Sequence, residues 1–167
     1  MLNIFTKPPD DDLEPAVLSD EDWASIRRYA QSVFACGGHS VHGPPHWKRV
    51  EDVGLELARE SGADETVVRL FAILHDSCRL NDDEDCGHGP RAADMLGTLV
   101  GILFTIDPDR LVLLEQAIRH HTDGFTSPDP TIGTCWDADR LDLGRVGKRP
   151  KEKYMSTEAA KLKARSG

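Results

Sequence analysis

The sequence predicts an all-helical domain. Apolar residues recur at three- and four-residue spacings along most of the chain, and several of these runs open on Ser, Asp or Pro, residues that start helices. Alternating β-branched runs are absent, and no Asn-Gly or Asp-Gly pair sits between two such runs as a hairpin would require. A chain of 167 residues, 39% hydrophobic and 29% charged, suffices for one domain with its own core.

The elements follow in order. Residues 1–18, which include T-K-P-P-D-D-D-L-E-P, are too polar and Pro-rich to bury much and read as a mobile N-terminal arm. Ser19 heads S-D-E-D-W, an S-x-x-D capping signature, and the first helix should run to about Phe34 before Cys36-Gly37-Gly38. Pro44-Pro45 suits the first turn of a second helix that stops at Ser61-Gly62. Asp64 caps a third, expected to reach about Cys78. The polar loop N-D-D-E-D-C-G separates it from a fourth at 88–101. Asp107-Pro108 opens a fifth that ends by Asp123-Gly124. S-P-D-P-T-I-G reads as loop, W-D-A-D-R-L-D-L as a short helix, and Ser156-Thr157 as the cap of a last helix, E-A-A-K-L-K-A. The main helical domain is thus expected over 19–146, with 147–167 a partly helical extension.

Composition narrows the function classes. A net charge of −9 argues against binding a nucleic-acid backbone, whose phosphates need a basic surface. It leaves small phosphorylated substrates open, because a bound cation can invert the local field. No apolar run approaches the roughly 18 residues of a membrane span, and no secretory leader pattern opens the chain, so the expected location is the cytoplasm. Cys36, Cys78, Cys86 and Cys135 form no C-x-x-C pair and read as free thiols.

Helix phase singles out the histidines. His46 shares a face with Val50, Val53 and Leu57; His75 with Val67, Phe71 and Leu74; His88 leads Ala92, Met95, Leu96 and Leu99; His121 follows Leu111, Leu114 and Ile118; Asp139 lies between Trp136 and Leu143. A lone inward histidine is usually a satisfied core residue. Five helices that each send an imidazole or carboxylate inward are met more economically by one divalent cation, which compensates carboxylates and accepts neutral imidazoles. His75 and Asp76 are adjacent, about 100° apart on a helix, so both should reach an ion from the helix side.

Taken together, H-W-K-R-V at 46–50, L-H-D at 74–76 and D-A-D-R-L-D at 137–142 resemble the HD domain superfamily of metal-dependent phosphohydrolases, over roughly residues 20–145. The resemblance implies a compact helical bundle with a central metal held by His46, His75, Asp76 and Asp139. It favours Asp139 over Asp137, and His46 over its rival His42, which is expected to face substrate or support the ligands. His88, His120 and His121 lie where some members place a second metal or substrate contacts. H-H-T-D-G is similar to the H-H-E segment of a subset that hydrolyses cyclic dinucleotides, but the G-Y-P of that subset is absent and its activity is not assigned.

Such a ligand set suits Mn, Fe, Co, Ni or Zn, as one ion or two. The expected reaction is hydrolysis of a small phosphate ester or nucleotide by a metal-activated water. Asp76 or the neighbouring acidic run is the candidate for acid–base work, and Arg79 for holding phosphate oxygens, unless it pairs with Asp82, Asp83, Glu84 or Asp85 instead. Asp82–Asp85 reads as solvated loop, and Lys48, Arg49, Arg140 and Arg145 as solvated, although Arg140 adjoins Asp139. A diiron oxygenase and a non-catalytic metal-binding or regulatory module are the alternatives. The oligomeric state is not encoded in any recognisable pattern.

Overall fold

A computed structural model describes residues 17–166, so most of the expected N-terminal arm lies outside the described residues. Among these, seven α-helices account for the architecture: α1 (Asp20–Val33), α2 (Pro44–Ser61), α3 (Glu65–Leu74), α4 (His88–Leu99), α5 (Pro108–His120), α6 (Pro130–Leu141) and α7 (Glu158–Ser166). Two short 3-10 turns, Asp142–Val146 and Glu152–Tyr154, link α6 to α7. No strand occurs among the described residues; Val100 and Phe104 meet only as an isolated bridge. The all-α expectation holds.

Local chemistry sets the helix starts. The Ser19 hydroxyl accepts from the Asp22 amide at 3.2 Å while the Asp22 carboxylate accepts from the Ser19 amide at 2.8 Å, the reciprocal box the sequence encodes. Asp64 and Asp107 cap α3 and α5 through the amides of Val67 and Arg110. Asp129 caps α6 through the amides of Thr131 and Ile132, with Pro130 in the first turn. Part of the stretch read as loop, P-T-I-G, is therefore helical, because Asp-Pro starts α6 as it starts α5. The cap of α7 comes partly from afar. Thr157 Oγ1 accepts from the Ala160 amide, while the Asp137 carboxylate accepts from the Ser156 and Thr157 amides at 2.7 and 2.8 Å.

Helix ends differ more from expectation. α3 stops at Leu74 rather than near Cys78, because the Leu74 carbonyl takes the Ser77 amide and hydroxyl in a tight turn and the Arg79 amide turns back onto the Asp76 carbonyl. α4 stops at Leu99, where Gly101 at φ +82° bonds across to Phe104. α5 stops at His120, whose carbonyl takes the Asp123 amide ahead of Gly124 at φ +77°.

Helix α3 is the axis of the fold. Apart from Arg69, it is buried from Val67 to Leu74, with α1, α2, α5 and α6 packed around it. Ile26 and Ala30 of α1, Leu57 of α2, Leu114 and Ile118 of α5 and Trp136 of α6 complete the core. α4 lies on α5, and α7 covers α6 and α2, burying Ala160 and Ala164. The buried Glu51 carboxylate ties the first three helices together: Arg27 of α1 donates to both of its oxygens at 2.7 and 2.6 Å, and Arg69 of α3 at 3.1 Å. The four cysteines are free thiols, and no helix among the described residues is long and apolar enough to cross a membrane.

At Gly54, α2 approaches α3 so closely that a Cβ would stand 2.6 Å from Val68 Cγ1 and 3.5 Å from Ala138 Cβ. Gly54→Ala should therefore destabilise the fold by about 1–3 kcal/mol, since overpacking at a rigid contact forces helices apart. A urea unfolding midpoint equal to that of the parent chain would contradict this packing.

Candidate metal centre

Each histidine enters the centre of the bundle with one ring nitrogen already committed. His75, the residue that ends α3, places Nδ1 at 3.1 and 3.2 Å from the Phe71 and Ala72 carbonyls. His121, at the end of α5, sets Nδ1 2.7 Å from the Ile118 carbonyl. His88, which opens α4, turns Nδ1 to the Asp85 carbonyl. His46, in the first turn of α2, sets Nδ1 2.7 Å from Asp142 Oδ2. Carbonyl oxygens and an ionised carboxylate only accept, so Nδ1 is the protonated nitrogen in all four rings. Nε2 of each neutral ring is then a lone pair.

Those lone pairs converge. His46 and His75 bring Nε2 atoms to 3.1 Å, and His88 and His121 to 2.9 Å. Asp76 sits between the two pairs. Its Oδ2 is 3.6 Å from Nε2 of both His46 and His75; its Oδ1 is 3.0 Å from Nε2 of His88 and 3.6 Å from that of His121. Asp139 Oδ1 closes the first half, 3.3 and 3.8 Å from Nε2 of His46 and His75. Ligands about 2.1 Å from a six-coordinate ion stand ~3.0 Å apart along each coordination edge. The imidazole pairs and the His88–Asp76 spacing match such edges, the remaining carboxylate spacings are up to 3.8 Å, and the groups could hold a metal ion in either half: His46, His75 and Asp76, or Asp76, His88 and His121, with His75, His121 and Asp139 also within reach of one another.

The electrostatics ask for the same thing. Burial pushes His75 down to about 3, so it stays neutral. Burial also opposes protonation of His46, but Asp139 and Asp142 outweigh it and raise its proton affinity; at His121, Asp76 does the same. Burial would raise Asp76 and Asp139, yet the surrounding imidazoles hold both well below the usual carboxylate range. The carboxylates thus favour a positive charge at His46 and His121, which a proton or a metal ion can supply. Metal and protons therefore compete for one centre.

The chain between helices positions the rest. The pair His75-Asp76 does not reach inward from the side of a helix as expected. α3 ends at Leu74, so Asp76 lies in the following turn and is free to point both oxygens at the cluster. Gly89 lets α4 touch the end of α5: a Cβ there would stand 2.9 Å from the Ile118 carbonyl and 3.3 Å from His121 Cε1. The side chains of His46, His75, Asp76, His88 and His121 are 3% exposed or less, whereas Asp139 at 16%, His42 at 14% and Arg145 at 10% form the solvent edge. His42 stands at that edge with Nδ1 3.0 Å from Asp76 Oδ2, its loop held by a 2.7 Å bond from Trp47 Nε1 to the His42 carbonyl.

Other residues lie elsewhere than expected. His120 is not brought to the centre; it is exposed and bonds Asp123 at 2.8 Å. Asp137 faces away, capping α7. Arg79 is buried beside the cluster, with Nη1 3.3 Å from His88 Nδ1 and Nε2 and 3.8 Å from Asp76 Oδ1. Its remaining donors go to the Asn81 and Asp83 carbonyls, not to the acidic side chains of that loop; Asp85 pairs with Arg91 instead. Arg140 is not solvated either: it is buried, stacks over Trp136 and donates to the Tyr154 carbonyl.

Sequence reasoning missed Asp142, Arg49 and Arg145. Asp142 orients His46 and is itself gripped by Arg49 at 2.8 and 3.0 Å. Arg145 donates to the Val41 and Asp142 carbonyls and sets Nη2 3.3 Å from His42 Nδ1 and 3.8 Å from Asp139 Oδ1. The last Asp of D-A-D-R-L-D was a usable signal for Asp142. Arg145 lies within a 3-10 turn that no periodicity announces.

Protein purified without chelator should carry transition metal by elemental analysis, and Asp76→Ala, which removes the group shared by both halves, should lose most of it. Because protons compete with metal for His46 and His121, whose proton affinities are raised, metal retention should fall on acidification. Retention that is flat from neutral pH to pH 4, or a metal content untouched by Asp76→Ala, would show that the ion is held elsewhere.

No family model matches the chain, and no curated protein matches it. The fold is similar to that of a Lactobacillus plantarum protein whose crystal structure was determined as a structural genomics target, at a TM-score of 0.61 and 21% sequence identity over 90% of this chain and 91% of that one.

Proposed function

We propose that the chain is a metal-dependent phosphohydrolase acting on a small phosphate ester or nucleotide. The observation that carries this reading is the convergence of buried imidazole Nε2 atoms and two carboxylates on one centre that opens to solvent beside two guanidinium groups. The resemblance of 46–50, 74–76 and 137–142 to the HD superfamily supports it, since those segments supply His46, His75, Asp76 and Asp139. The mixed nitrogen and oxygen donors suit Mn, Fe, Co, Ni or Zn, and the span across Asp76 suits two ions ~3.5–4 Å apart. Divalent cations held there would supply Lewis acidity, a water of lowered pKa and the positive charge that an anionic substrate requires.

The protein's own groups then divide the work. Asp76 holds both halves of the centre together. Asp142 and the backbone carbonyls fix the imidazoles in one tautomer and leave Nε2 inward. Arg145, at the solvent edge beside Asp139, is placed to take phosphate oxygens as they arrive. Arg79 is better read as a positioning residue, because it spends donors on the loop carbonyls of Asn81 and Asp83 and backs Asp76 and His88. His42, at the edge with Nδ1 on Asp76, is placed to hold or pass a proton at the leaving oxygen.

One observation favours a second reading. Four imidazoles split evenly about a carboxylate also suit a diiron oxygenase. The test is a panel of nucleotides, sugar phosphates and simple esters with Mn, Co or Fe. Turnover should appear on some member and fall by about 100-fold or more in Asp139→Asn with the fold intact. Arg145→Ala should chiefly raise KM, whereas Arg79→Ala should lower kcat through the displaced Asp76. No ester turnover, together with oxygen consumption by the ferrous protein and an organic substrate, would replace the hydrolase reading by the oxygenase one.

A further inference from the structure

Beyond α6 the chain folds through its two 3-10 turns and, with Gly124, lines an open pocket of about 480 Å³, none of whose lining residues belongs to the histidine cluster. This volume lies within the range of small-molecule sites. Leu143, Met155 and the half-exposed Tyr154 ring give it an apolar wall. Its charged lining is all of one sign: Arg140, Lys148, Arg149 and Lys151. That is unexpected in a chain of net charge −9.

Three of these four cations lack an ion-pair partner among the described residues. Lys148, Arg149 and Lys151 are exposed and form no ion pair among the described residues, while the cations of Arg110, Arg119, Lys161, Lys163 and Arg165 are each paired. Arg140 is 7% exposed; its Nη1 donates to the Tyr154 carbonyl at 2.7 Å, and its Nη2 is buried with no hydrogen-bond partner. Native proteins rarely bury a guanidinium donor unpaired.

We propose that this cavity binds a nucleoside polyphosphate, at a site separate from the histidine cluster. Lys148, Arg149 and Lys151 would take the phosphates, because three exposed cations lining one pocket fit a multiply charged anion better than a single carboxylate. The base would lie against Tyr154 and Leu143, since aromatic rings accept any base by stacking. Arg140, directly after Asp139 in the chain, adds the unsatisfied donor behind them.

Calorimetric titration of the full-length chain with ATP in magnesium buffer tests this. Saturable binding is expected, weakened about tenfold or more by the surface pair Lys148→Ala/Arg149→Ala, and retained in Asp139→Asn. Adenosine alone and pyrophosphate alone should each bind more weakly than ATP. The proposal is overturned by no ATP binding, by binding that the double variant leaves unchanged, or by pyrophosphate binding as tightly as ATP. Binding lost only in Asp139→Asn also overturns it, because the nucleotide would then occupy the histidine cluster. Circular dichroism of both variants verifies that they are folded, and the phosphohydrolase reading stands or falls separately on ester turnover.

Discussion

Four imidazoles, each with Nδ1 given to an acceptor, turn unprotonated Nε2 atoms toward one another at about hydrogen-bond distance. Two lone pairs at that separation repel, and among the described residues no side-chain donor other than Arg79 lies among them. Only a cation between them turns the arrangement from costly to favourable. The raised proton affinities of His46 and His121 express the same demand when protons must meet it. The rest of the molecule holds this arrangement in place. Helices α2, α3, α4 and α5 each end or begin at the centre, so each delivers its histidine from a terminus, where the neighbouring chain is free to turn.

That delivery depends on close packing around α3. An axis buried along nearly its whole length cannot shift without disturbing the helices that carry His46, His121 and Asp139. Small residues at two approaches make the geometry possible: Gly54 brings α2 onto α3, and Gly89 brings α4 onto the end of α5. The Asp142–Arg49 pair then fixes the His46 ring, and Trp47 fixes the loop that carries His42. Precision at the centre is thus inherited from contacts several residues away.

Much of this could be read from the sequence, for identifiable reasons. His46, His75, His88 and His121 each stood in phase with an apolar stripe, and phase predicts burial wherever a helix is regular. Ser19, Pro44, Asp64 and Asp107 marked helix starts because capping is local chemistry. The failures lie where regular helix stops. Asp76 was expected on a helix side, but Ser77 ends α3 before it. His120 follows a weaker stripe and points to solvent at the last turn of α5. Arg140 and Arg145 both read as solvated, yet Arg140 is buried against Trp136 and Arg145 stands at the edge of the centre, carried by a 3-10 turn whose angular step differs from that of the helix before it. Asp142 escaped notice because its importance lies in one long-range bond to His46.

We propose that the cluster holds metal on both sides of Asp76. Anomalous X-ray scattering from crystals grown with manganese tests it most directly. The account predicts two peaks ~3.5–4 Å apart, one bonded to Nε2 of His46 and His75, the other to Nε2 of His88 and His121, with the Asp76 carboxylate between them. Manganese sites elsewhere on the molecule, with the four Nε2 atoms bonded only to water or to each other, would contradict it.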